Sequence, residues 1–336
     1  MAGALSMSPI SSKSPASNAA TPGSPLSDEV MAVHADLPHL IRLQADARSL
    51  RVASGTPVKR RQAGQAASRQ RGRGMSFAEV RLYQPGDDIR SIDWRVTARR
   101  QKPHTKLYEE ERDRPVLLVC DLSPSLFFAS TGAYKQVRCA ESAALLAWLG
   151  LWGGDQVGGI IASQGGIEVV RPARRKKSVL RLLDLLAERQ YRHADELPDE
   201  SSGISRLDEL LSETRRVAHT DSRIFILSDF AGMTERTSTL LRSIGGHNTL
   251  TALRLLDPLE LRLPESGRFA VATPRGPVWL DAGDRTFREA FEDQVTQQEQ
   301  QLEEAFRRAG VTPAVVSTAE APSQVLRRVL GPRGRL

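Results

Sequence analysis

At 336 residues and 40% hydrophobic content, the chain can bury a substantial core and still carry appendages. Its 47 Lys and Arg against 40 Asp and Glu give +7, a balance that permits acidic proteins, nucleic acid or anionic lipid as partners without being extreme. Two cysteines, Cys120 and Cys139, have no metal-type spacing and read as buried free thiols of a reducing compartment, which excludes a disulfide-built scaffold.

Residues 1–27 are rich in Ser, Pro and Ala and lack a basic start followed by an apolar core, so they read as a disordered tail rather than a secretory signal. Residues 28–74 follow as a short helix and a basic linker. The helix is expected over Asp28 to Leu50, with Val33, Leu37, Leu40, Ile41 and Leu43 on its apolar side. The linker carries Lys59, Arg60, Arg61, Arg69, Arg71 and Arg73 and no acid up to that point. It is either a solvated connector or an arm that tracks phosphate or an acidic protein surface. No aromatic residue interleaves these charges, which argues against a base-stacking platform.

Residues 75–113 read as a small β-rich lead-in. Phe77, Val80, Leu82 and Tyr83 run into the turn signal Gln84-Pro85-Gly86-Asp87-Asp88, and Ile89, Ile92, Trp94 and Val96 then resume an extended pattern. Asp87, Asp88, Asp93 and Glu109 to Glu111 are expected to pair with Arg81, Arg90, Arg95 and Arg99, and Trp94 to anchor a core. A partner-binding face built from the same block is the alternative.

From residue 114 to 332, strands alternate with helices, the signature of a doubly wound, mostly parallel α/β sheet with helices on both faces. Val116 to Cys120 is an apolar run that ends in Asp121-Leu122-Ser123-Pro124-Ser125. A helix near Tyr134 to Leu151 stops at Gly153-Gly154, and Val157 to Ala162 is the next strand. Ile167 to Val170 reads as an edge strand. Helices follow around Val179 to Leu186 and from Ser205. Ile224 to Leu227 is a second buried strand ending in polar residues, Ser228-Asp229. The order closes with a helix near Arg236 to Ile244, a strand near Thr249 to Leu255, an extended pair near Phe269 to Leu280, a long helix from Arg285 to Arg308, a strand near Pro313 and a terminal helix. The most apolar stretch, Ser142 to Trp152, is flanked by Glu141 and Asp155 and falls short of the ~18 residues of a membrane span. Cytoplasmic placement is expected.

Two buried strands that end in Asp121 and Asp229 bring both carboxylates to the same edge of a parallel sheet, where open α/β folds place ligands. Alternate Asp121, Ser123 and Ser125 offer hard oxygens toward one point, which suits Mg²⁺ with waters in its remaining positions. Ser201, Ser202 and Ser205 are candidates for a further oxygen. The same residues also suit a plainer role: Ser123 or Ser125, and Asp229, as caps of the helices that follow.

The Asp121 loop resembles the metal-ion-dependent adhesion motif of von Willebrand factor A domains. Residues 72–94, GRGMSFAEVRLYQPGDDIRSIDW, continuing to Thr97-Ala98-Arg99, resemble the signature of the bacterial "domain of unknown function 58" family. These are von Willebrand factor A-like proteins associated with MoxR-type AAA+ ATPases. Asp257-Pro258-Leu259-Glu260 fits the same family. The resemblance implies a metal at the carboxyl edge of the sheet, with Asp121, Ser123 and Ser125 as its first loop and Asp229 as its third. Ser205 stands where the middle loop ordinarily supplies Thr. Leu126 and Ala129 stand where Met and Gly are usual.

Enzyme signatures are absent from the sequence: it has no phosphate loop, no H-E-x-x-H and no G-x-S-x-G elbow, and its histidines are scattered. The expectation is a non-enzymatic, metal-ion-dependent protein-binding module holding Mg²⁺ or Mn²⁺ through Asp121, Ser123, Ser125, Ser205 and Asp229. As the resemblance implies, its partners would be a MoxR-type AAA+ ATPase, for which it is an adaptor or co-chaperone, and an acidic client protein. A nucleic-acid-associated protein using the arm 59–73 is the alternative, and a metal-dependent hydrolase a third reading that lacks a nameable base.

Overall fold

Asp36 opens the first helix, α1 (Leu37–Arg42), by accepting the His39 N–H at 2.8 Å, with a proline in the first turn where its missing N–H costs nothing. The structure, a computed structural model, describes residues 32–53, 75–84, 87, 89–110, 114–193, 196–197, 206–273 and 276–330. The tail 1–27 and the basic arm 59–73 therefore lie outside the described residues. A second helix, α2 (Gln44–Ala53), follows α1 directly. The single helix expected over Asp28 to Leu50 is thus two, starting later because Asp36 and Pro38 make a strong start signal. Leu43 between them keeps helical dihedrals, φ −59° and ψ −10°.

The chain divides into two compact units, Val58–Asp113 and the remainder. In the smaller, β1 (Met75–Leu82) pairs antiparallel with β2 (His104–Glu110), with a register irregularity between Phe77 and Glu79. The run from Ile89 to Val96 is not extended as expected. It forms a short 3-10 turn, Ile89–Ser91, and then α3 (Trp94–Arg100). Asp93 is the reason: its carboxylate accepts the N–H groups of Arg95 and Val96, and this cap with Ala98 and three arginines outweighs the apolar alternation. Trp94 sits at the first helical position and is 68% exposed, so it is not a core anchor. The expected Arg81–Asp87 pair is present at 2.7 Å. Asp88 and Glu111 lie outside the described residues.

The larger unit starts with β3 (Val116–Asp121), α4 (Lys135–Gly153), β4 (Val157–Ser163), β5 (Gly166–Ala173) and α5 (Lys176–Glu188). It continues through α6 (Leu207–Val217), β6 (Arg223–Ser228), α7 (Glu235–Gly245), β7 (Thr249–Leu256) and the short α8 (Pro258–Leu261). A separate hairpin, β8 (Arg268–Thr273) with β9 (Gly276–Asp281), precedes α9 (Arg285–Ala309), β10 (Thr312–Ser317) and α10 (Pro322–Val329). Six strands form one sheet in the order β10-β7-β6-β3-β4-β5, parallel except for β5 at the edge. The doubly wound, mostly parallel α/β architecture expected from the sequence is therefore the one found. Gly158 lets β5 approach β4 closely, since a Cβ there would lie 2.5 Å from the Val170 carbonyl oxygen. Among the described residues no helix is long and apolar enough to cross a membrane.

Strand alternation distributes β3 between two cores. Val116, Leu118 and Cys120 join the core with α4, α5 and α10, and Leu40, Ala47 and Leu50 of α1 and α2 complete it. Leu117 and Val119 face the other core, with α6, α7 and α9. Ile224 and Ile226 of β6 share that second face. Asp121 and Ser228 continue those two rows to the carboxyl edge, which is how they come to meet.

Candidate functional site

Asp121 ends β3 with only 2% of its surface exposed. Its Oδ1 accepts the Ser123 N–H at 3.0 Å and the Ser123 hydroxyl at 2.6 Å, and its Oδ2 accepts the Ser228 hydroxyl at 2.7 Å. Ser123 precedes a 3-10 turn, Pro124–Leu126, but its hydroxyl makes no cap bond there. The capping role considered for it is therefore not the one seen. Ser123 Oγ lies 3.5 Å from Ser125 Oγ, and Ser125 hydrogen-bonds the Asp229 carboxylate. Asp121, Ser123, Ser125 and Asp229 thus come together at one point. Ser205, like Ser201 and Ser202, lies outside the described residues. Leu126 and Ala129, the two departures from the usual loop, are both buried.

Asp229 follows β6, and it does not cap α7, whose cap is Thr234. Its Oδ1 accepts the Ala231 N–H at 3.0 Å, and the Phe230 N–H goes to Ser228 Oγ at 2.9 Å. Phe230 takes φ 57°, a left-handed conformation that a bulky residue adopts only under constraint. These two side-chain acceptors supply part of the constraint. The Phe230 ring, edge-on to Phe306 at 4.9 Å, supplies the rest.

Sequence reasoning missed the cation of this site. Lys135, at the start of α4 and 1% exposed, donates to Asp229 Oδ2 at 2.9 Å and to Glu260 Oε1 at 2.6 Å. Burial pulls its ammonium pKa down, but the two carboxylates outweigh burial and leave it raised. Burial pushes Asp229 up, and Lys135, the Ala231 N–H and Ser125 more than reverse this. Asp121 has no such help. Burial first, and the Asp229 charge second, push it up to about 6 against the bonds from Ser123 and Ser228. Beneath it, burial raises the Cys139 thiol well above its ordinary range, and its Sγ–H donates to the Asp121 carbonyl at 3.7 Å.

A further carboxylate, Asp257, fastens the surrounding loops. It is wholly buried and accepts the Ser130 N–H at 2.7 Å, the Ser130 hydroxyl at 2.5 Å, the Thr318 hydroxyl at 2.7 Å and the Leu259 N–H at 2.9 Å. Its own N–H donates to Glu260 Oε2 at 2.9 Å, so the carboxylate that holds Lys135 is itself held. The motif Asp257-Pro258-Leu259-Glu260 was visible in the sequence, but nothing there linked it to the Asp121 loop. His39 bonds Glu141 at 2.8 Å, away from this cluster.

The donor chemistry fits a hard divalent cation. Lys135 is shared between Asp229 and Glu260, and the neighbouring buried Asp121 feels the Asp229 charge, so carboxylates outnumber the ammonium along this edge. Hydroxyls of Ser123 and Ser125 stand beside it. Two further buried hydroxyls, Ser163 at the end of β4 and Tyr191, have no hydrogen-bond partner among the described residues. No group of three His, Cys, Asp or Glu converges as a metal cluster among the described residues, so hydroxyls must complete any ligand set.

Uncharacterized proteins of Mycobacterium bovis and Mycobacterium tuberculosis are each 32% identical to this chain over 202 residues, 58% of the chain and 59% of their own length. The chain thus matches a little over half the length of those curated relatives. Among solved structures, the conserved hypothetical protein BatB from Bacteroides thetaiotaomicron is similar at 11% identity and TM-score 0.41, covering 64% of this chain and 96% of that one. A von Willebrand factor type A protein from Catenulispora acidiphila is similar at 11% identity and TM-score 0.34, covering 68% and 43%. Residues 79–301 match the family described as "Protein of unknown function DUF58", and at that extent the chain belongs to the DUF58 family.

Proposed function

We propose that this chain is a non-enzymatic protein-binding module whose carboxyl sheet edge holds Mg²⁺ or Mn²⁺ through Asp121, Ser123, Ser125, Ser205 and Asp229. One observation supports this above the others: buried Asp121 and Asp229 end neighbouring strands close enough for the Asp229 charge to raise Asp121, with the Ser123 and Ser125 hydroxyls bonded to them. When bound, the cation supplies an open coordination position that a carboxylate of the partner fills. Asp121 anchors the first loop by fixing Ser123, and Ser125 joins that loop to Asp229. Glu260 and Asp257 keep the flanking loops from shifting when a partner docks. The partner is a MoxR-type AAA+ ATPase in the cytoplasm, with this chain as its adaptor toward an acidic client, as the resemblance implies.

A pull-down of the ATPase on the immobilised full chain tests this. Retention in Mg²⁺ should be lost in EDTA and in Asp121→Ala, while circular dichroism shows the fold kept. Binding that survives both treatments sinks the metal bridge. Binding that instead falls steeply with salt and ignores Asp121 points to the basic arm and nucleic acid.

A further inference from the structure

Lys135 is placed where a lysine is expensive. It starts α4, where the helix N-terminus disfavours a cation, and its side chain is almost wholly buried. An apolar or hydroxyl residue would fill the position without that cost. What the lysine adds is charge, delivered to Asp229 Oδ2 at 2.9 Å and to Glu260 Oε1 at 2.6 Å. The tighter contact is with Glu260, whose other oxygen is fixed by the Asp257 N–H. Glu260 therefore draws the ammonium to one side, and Asp229 shares it.

Resting on the metal reading above, we propose that Lys135 is a built-in counter-cation that sets how tightly the site holds its divalent ion. It occupies one oxygen of Asp229, stabilises the loops when the site is empty, and repels an incoming cation, so that the ion binds exchangeably rather than as a permanent structural part. Glu260 moderates this by drawing off part of the ammonium charge. Lys135 is a positioning and affinity-setting residue rather than a ligand. The two substitutions Lys135→Met and Glu260→Gln should then move metal affinity in opposite directions. Removing the ammonium removes the repulsion, whereas removing the Glu260 charge leaves the ammonium wholly to Asp229.

The test is calorimetric titration of the full-length wild type, Lys135→Met and Glu260→Gln with Mg²⁺ alone, with melting curves in EDTA and in excess Mg²⁺. Lys135→Met should melt below wild type in EDTA, gain more from Mg²⁺, and bind it about tenfold tighter or more, while Glu260→Gln binds several-fold more weakly. A folded Lys135→Met that binds Mg²⁺ no tighter than wild type overturns the proposal. If Lys135→Met does not fold, Glu260→Gln decides: unchanged or tighter binding overturns it. Binding by Lys135→Met but not by wild type upholds Lys135 as a substitute cation and removes the metal reading for the native site. Absence of binding in all three removes both.

Discussion

Asp121 is held in two opposite ways, and pH separates them. Burial and the Asp229 charge favour its neutral form, and the bonds from Ser123 and Ser228 favour the carboxylate. The first pair wins, and the folded-state value rises to about 6, well above the ordinary carboxylate range. In metal-free protein the folded state thus keeps a proton that the unfolded chain has already released across this interval. Stability is then greatest below the unfolded value, falls as pH rises through about 4 to 6, and is flat above, a total on the order of 3 kcal/mol. Asp121→Asn cannot ionise and should remove this contribution. Urea midpoints in EDTA at several pH values check it: a wild-type-minus-Asn difference that does not change between the acidic and neutral ends refutes the assignment. Asp121 itself was legible because a lone acid after an apolar strand stands out. Lys135 was not, since a lysine before an apolar helix looks like any solvated cation. Its partners are 94 and 125 residues downstream, a separation no local pattern reports.

At the scale of elements, the carboxyl edge is a set of loops fastened to one another rather than three independent ligand loops. Asp257 follows β7, Ser130 lies between β3 and α4, and Thr318 follows β10, yet one carboxylate joins all three. Gly132 makes the junction possible: it takes φ 70°, and a Cβ there would lie 2.3 Å from the Thr318 carbonyl oxygen. That oxygen also accepts the Ala133 N–H at 3.1 Å and the Arg138 guanidinium. Asp257→Asn keeps the shape but turns an acceptor into a donor among donors. It should cost about 2–4 kcal/mol, because several charge-assisted bonds to a buried group are lost together. Denaturant midpoints measure this, and a change under about 1 kcal/mol would show that the edge is not fastened there. The strands that carry the site were legible because β3 and β6 are short apolar runs ending in polar residues. The lead-in was misread because alternation of Ile89, Ile92, Trp94 and Val96 suggests a strand, whereas the Asp93 cap sets a helix. Junctions such as Ser130 to Asp257 join residues 127 apart, and sequence spacing has no sign of them.

Across the whole molecule, the two faces of the sheet are covered unequally, and this places α1 and α2 inside the fold. The face with α6, α7 and α9 closes with elements that follow β4 in the chain. The opposite face has α4 at its centre, and residues from before the small unit return to cover it. Trp148 of α4 donates to the Leu40 carbonyl at 3.2 Å, and Gln190 exchanges hydrogen bonds with the backbone of Ala35 at 3.0 and 3.2 Å. Leu40 and Leu50 are as buried as the strands. If α1 and α2 belong to the cooperative core, Leu40→Ala should lower the stability of the whole unit by about 2–5 kcal/mol, with the denaturant slope unchanged. If they are only a strap over an independent core, the midpoint stays and only their own amides exchange faster. Hydrogen exchange read alongside the unfolding curve separates the two. The first outcome is expected, because α4 starts at Lys135. A helix left uncovered on its outer side would loosen at the end that carries the site's ammonium, so the covering segment supports the Asp121 edge from the far side of α4.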